Sequence, residues 1–137
     1  MFLFSCNMQK EMNIKRIIIG FLVEENYFCE DHELIYFTDT DTIAVRSVNE
    51  YDNAGNLIKY IRFASEDYLE YSIDDLMNDT LLLQLVGGKS AKVWKFIENN
   101  KITNNADTLE IETTKNNLGM NIFINRKGNS VTIFEFW

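Results

Sequence analysis

Apolar residues in this chain fall into β-branched or alternating runs in its outer parts and into a leucine-rich stretch near its middle. The first run, IKRIIIGFLV over residues 14–23, fits two patterns. Ile14, Ile17, Ile18, Phe21 and Leu22 match one face of a helix, whereas three consecutive isoleucines followed by Gly20 suit a buried strand. Asn13, placed to cap a helix, tips the expectation slightly toward an N-terminal helix. The next runs, ELIYF at 33–37 and TIAVRSV at 42–48, are strand-like and separated by the polar turn TDTD. NEYDNAGN then returns the chain into LIKYIRF at 57–63, a hairpin in which Gly55 supplies a positive φ.

Ser72 followed three residues later by Asp75 imitates a capping box, and Ile73, Leu76, Met77 and Leu81 continue at helical spacing. A helix over about 73–86 is expected, ended by Gly87. Ser90 is expected to cap a second helix that turns Val93, Phe96 and Ile97 inward, sets Trp94 at the edge of the core and lays Lys89, Lys92 and Lys95 along the solvent side. The last third returns to strands. TLEIETT alternates Leu109 and Ile111 with Glu110 and Glu112, while MNIFIN and SVTIFEFW flank the turn RKGN as a hairpin that ends at Trp137. The expected fold is α+β: a single compact domain over 1–137, with antiparallel hairpins flanking a central helix pair.

With 137 residues, 46% of them hydrophobic and 13% aromatic, the chain can bury a core without disulfide staples. Cys6 and Cys29 are the two cysteines, read as reduced thiols in a reducing compartment. The opening MFLFSC lacks the basic segment and longer apolar run of a signal peptide, and nowhere do 18 apolar residues run uninterrupted. A cytoplasmic location follows as the expectation. Charge changes the picture more. Asp and Glu number 21 against 13 Lys and Arg, a net charge of -8, which repels the phosphates of nucleic acids and anionic lipids. Direct binding to nucleic acid or membrane is therefore disfavoured.

Candidate chemistry is sparse. LVGGKS at 85–90 ends like a phosphate-binding loop, but Leu83 stands where the first glycine is required, so the stretch reads as a helix stop. His32, flanked by Asp31 and Glu33, has no second histidine or cysteine at ligand spacing. Asp39 and Asp41 form an Asp-x-Asp that would hold a divalent cation only from a fixed extended backbone. A small metal- or nucleotide-dependent enzyme using His32, Asp39 and Asp41 is thus one alternative. No cofactor or metal is expected on the preferred reading.

That reading rests on charge clustering. Glu24, Glu25, Glu30, Asp31, Glu33, Asp39 and Asp41 occupy one window without a basic residue, and Glu66, Asp67, Glu70, Asp74, Asp75 and Asp79 occupy another. Tyr27 and Tyr68 are interleaved, together with Phe28, Tyr36 and Tyr71. Acidic surface mixed with tyrosine suits capture of a basic protein, steered by long-range attraction. Glu24, Glu25, Tyr27, Glu30, Asp31, Glu33, Asp39, Asp41, Glu66, Asp67, Tyr68 and Glu70 are the expected contact residues. The expected function is non-enzymatic: an inhibitor, immunity-type or anti-defence protein that captures a basic partner protein, such as a nuclease or another nucleic-acid-binding protein. A second alternative is an apolar-ligand-binding or oligomeric module built on Phe123, Phe134, Phe136 and Trp137.

Overall fold

The computed structural model describes residues 11–24, 34–64, 67–88, 92–98, 100–104 and 106–137; side chains of Leu34, Ala64, Asp67 and Tyr68 lie outside that description. Of the described residues, 63% are strand and 10% helix, arranged in two antiparallel sheets. This overturns the α+β expectation with its central helix pair.

The run at 14–23, leaning to helix by sequence, is the strand β2 (Ile14–Val23). Its β-branched isoleucines prevail over the helical spacing because they pack on both faces of a sheet. Ile18 is buried in one core and Ile14 in another, while Ile17 packs against the second. β3 (Leu34–Phe37) and β5 (Leu57–Ala64) both pair with β4 (Thr42–Tyr51), on opposite halves of the same edge. The expected hairpin into LIKYIRF is therefore present, with Gly55 at φ +88° in its turn, and the two strand-like runs before it pair as well. β6 (Asp67–Ser72) adds to β5 as an edge strand.

The large sheet runs β10-β11-β12-β2-β4-β5-β6, where β10 is Glu112–Lys115, β11 Asn121–Lys127 and β12 Ser130–Phe136. It curls until its far ends touch: Thr38, just past β3, bridges Asn116, just past β10, with Asp39 N–H donating to Lys115 C=O and Asn117 N–H to Phe37 C=O. Six strands thereby form a ring whose interior holds Ile18, Ile43, Val45, Val48, Ile122, Ile124, Val131 and Ile133. Closing the edge satisfies backbone groups that an open sheet would leave for other chains.

The small sheet is β1 (Glu11–Met12), β7 (Trp94–Ile97), β8 (Lys101–Thr103) and β9 (Thr108–Glu110), in the order β1-β7-β8-β9. β7 replaces the expected second helix. Trp94 is buried rather than at a core edge, with its ring 5.5 Å from that of Phe134, and Lys95 pairs with Glu11 and Thr103 across the small sheet. TLEIETT, one strand by its alternation, is split at buried Ile111 into β9 and β10, which belong to different sheets. The core between the sheets also takes in Tyr51, Leu57, Tyr60, Leu76 and Ile102. The final hairpin forms as expected, with Gly128 at φ +62° in its turn.

The single helix expected at 73–86 is two short ones, α1 (Ile73–Met77) and α2 (Thr80–Leu85). The Ser72–Asp75 capping box is present as read, and Asp79 caps α2 through its bond from the Leu82 N–H. Asn78 and Asp79 favour local side-chain bonding over helix continuation, so the chain restarts there with a new phase. Gly87 ends α2 at φ +92°, where an L side chain is strained. No helix among the described residues is long and apolar enough to cross a membrane.

Candidate functional site

The break between α1 and α2 decides which apolar side chains the helices present outward. Leu76, at 0% exposure, anchors α1 in the inter-sheet core, and Leu82 and Leu83 pack against that core from α2. Met77, Leu81 and Leu85 do not follow them: they are 50%, 79% and 66% exposed. Leu81 and Leu85, four residues apart, share one side of α2. The sequence reading ran Leu76, Met77 and Leu81 at the spacing of one continuous helix, and the restart at Asp79 breaks that run. One signal was available beforehand. TLLLQL places four leucines in six residues, and a helix resting on a core by one face cannot bury all of them.

Acidic residues border this crest. Asp74, Asp75 and Asp79 are exposed, and all belong to the second acidic window. The Asp75 carboxylate accepts from the Ser72 hydroxyl and backbone N–H, and that of Asp79 from Leu82 N–H. These bonds hold two of the three charges at helix N-termini, where the backbone dipoles favour them.

Of the other residues expected to contact a partner, Glu24 is exposed just past β2 and Asp39 is exposed beside the Thr38–Asn116 bridge. Asp41 accepts from Arg126, which also bonds Glu112. Glu70 lies on β6, within 3.1 Å of Lys59. The register, Val23 opposite Thr42 and Glu70 opposite Ile61, itself opposite Val48, separates Glu24 from Glu70 by three strand spacings and six to seven residues along the strands. That is roughly 25 Å. The structure thus groups Glu24, Asp39 and Asp41 at one end of the ring, apart from Glu70. Asp67 and Tyr68 sit on β6 with undescribed side chains. Glu25, Tyr27, Glu30, Asp31, His32, Glu33, Glu66, Lys89 and Ser90 lie outside the described residues.

The other side chains singled out by sequence have structural partners. Phe123, Phe134 and Phe136 pack against one another at centroid distances of 5.1 and 6.5 Å within the inter-sheet core. Trp137 is 59% exposed and donates its indole N–H to the Asp52 carbonyl, with the Lys15 ammonium 5.1 Å from the ring centre.

Among the described residues, one charged group is deeply buried. Glu135 on β12 accepts from both Arg16 on β2 and the Tyr36 hydroxyl on β3, and Asn116 donates to that same hydroxyl. Burial alone would raise the carboxyl of Glu135, but the hydrogen bonds from Arg16 and Tyr36 outweigh it and hold the group below its ordinary value. Burial, then the bond to Glu135, pushes the Tyr36 phenol well upward. The knot joins the strands that close the ring.

No protein-family model, no curated protein and no solved structure matches this chain.

Proposed function

We propose that the protein acts by capturing another protein, with the α1–α2 crest as the centre of the contact. The observation that carries this reading is the exposure of Met77, Leu81 and Leu85 within nine residues, beside Asp74, Asp75 and Asp79. Apolar side chains grouped under water and rimmed by charge have the anatomy of an interface: the centre supplies affinity by desolvation, and the rim selects and steers. An acidic rim on a chain of net charge -8 selects a partner with basic surface around an apolar recess. The partner class that fits is a nucleic-acid-binding protein or nuclease, whose cationic groove ordinarily receives phosphates. Occupying that groove makes the chain an inhibitor of immunity or anti-defence type, without chemistry of its own.

The test is capture from a lysate by the wild-type protein, the Leu81→Asp/Leu85→Asp variant and the Asp74→Lys variant. The expected result is a partner held by the wild type at low salt, lost by the double variant and weakened by Asp74→Lys. Both variants change exposed positions and retain the wild-type unfolding midpoint. A partner held equally by all three proteins, or none held by the wild type, removes the reading.

A further inference from the structure

The four arginines are of two kinds. Arg16 bonds Glu135, and Arg126 bonds Asp41 and Glu112. Arg46 and Arg62 meet no carboxylate among the described residues, and both line a single groove of about 370 Å³ on the outer face of β2, β4 and β5. In a chain of net charge -8, two arginines lining one groove call for a reason.

The backbone brings them together. The register of β2 against β4 slips between Ile19 and Gly20, so Ile19 pairs with Ser47, Gly20 with Val45, and Arg46 between them has no partner on β2. Such a bulge re-aims its extra side chain. Arg46 thereby lines the same groove as Ser47, whose cross-strand partner on β5 is Arg62. The Arg46 guanidinium lies 5.6 Å from the centre of the Phe21 ring, which steadies it from one side.

The α2 side of the groove is also fixed. Asn49 donates its side-chain amide to the Val86 carbonyl at 3.0 Å and to the Tyr51 hydroxyl at 3.1 Å, tying the end of α2 to β4. Leu85 and Val86 thus line the same groove as the arginines, with Ile19, Tyr60 and Phe63 adding to its lining. Two arginines lining one concave surface concentrate positive potential and offer planar donor sets that match carboxylate and phosphate oxygens. The volume falls in the range of small-molecule sites and is too small for a folded partner.

We propose that this groove binds a small organic dianion, a phosphomonoester or dicarboxylate on an aromatic or apolar body. Arg46 and Arg62 grip the anionic head, and Ile19 and Leu85 receive the body. The site stands independently of partner capture, although Leu85 borders both surfaces.

Calorimetry and thermal unfolding of the full chain with phenyl phosphate, phthalate, inorganic phosphate and benzyl alcohol test it. Saturable binding of phenyl phosphate or phthalate in the millimolar range, each raising the unfolding midpoint, is expected, and the tighter of the two identifies the head group. Benzyl alcohol should not bind, and inorganic phosphate should bind more weakly than phenyl phosphate. Arg46→Gln and Arg62→Gln should each weaken binding about tenfold or more, the scale of one lost charge-assisted hydrogen bond. Arg126→Gln should leave it unchanged. Absence of saturable binding by both aryl anions, or equal binding by the Arg46 and Arg62 variants with wild-type unliganded midpoints, overturns the proposal.

Discussion

Arg16 faces Glu135 across the β2–β12 ladder and donates to both of its carboxylate oxygens, at 2.6 and 2.8 Å. The Glu135 side chain is 4% exposed and that of Arg16 32%, so the pair sits at the margin of the ring interior. Its contribution lies in what is left when it is broken. Replacing Arg16 by Met strands a buried carboxylate and is expected to cost about 3 kcal/mol, near the low end for a broken buried pair because Arg16 is partly hydrated. Urea unfolding checks this. Arg16→Met/Glu135→Leu should recover much of the loss, since no unpaired charge remains.

The same knot sets the limits of stability with pH. Glu135 titrates lower in the folded chain than its ordinary 4.5, so its contribution is complete above that value and is lost as pH falls through the folded value. Tyr36 titrates above its ordinary 10.0, as do Tyr51 and Tyr60 through burial, so their contributions are complete below that value and are lost as pH rises beyond it. Unfolding free energy should therefore be flat near neutrality and decline on both sides. Glu135→Gln should flatten the acid limb, and Tyr36→Phe should make the alkaline limb shallower without abolishing it.

Gly20 is fixed by close approach. A Cβ there would lie 2.4 Å from the Ala44 carbonyl oxygen and 2.8 Å from the Ile43 Cγ2, so backbone or buried side chain must move. Gly20→Ala is expected to destabilise by about 2–3 kcal/mol, as overpacking does. A lowered thermal midpoint measures it. Because Gly20 adjoins the bulge, the variant should also weaken aryl-anion binding at Arg46.

Two leucines five residues apart should behave oppositely. Leu76→Ala removes a side chain of 0% exposure and is expected to cost about 3 kcal/mol. Leu81→Ala alters a residue 79% exposed and should stay within about 0.5 kcal/mol. Chemical denaturation of the two variants under one condition compares them.

Local chemistry was legible where neighbours in the chain decide the outcome. The β4–β5 and β11–β12 hairpins, the Ser72–Asp75 box and the stop at Gly87 all depend on contacts within a few residues. Residues 14–23 stayed ambiguous, leaning to helix, and 93–97 were misread, because their apolar spacing fits helix and strand alike. What distinguishes them is the presence of distant partners: β12 and β4 on either side of β2, β1 and β8 on either side of β7. Among the proposed contact residues, the acidic windows were visible as composition. The exposed crest was not, because its phase depends on a helix break at Asn78 and Asp79.

The sequence by itself determined that this chain buries a core, carries a large negative charge and turns where Gly55, Gly87 and Gly128 permit it. Only the tertiary structure decided that its strands close into a ring, that Asp41 belongs to Arg126, and that Arg46 and Arg62 share a groove. The physical reason is separation along the chain. Propensity and capping act over a turn or two, whereas strand pairing, bulge position and charge partnership join residues as far apart as Arg16 and Glu135 and are fixed only when the whole sheet forms.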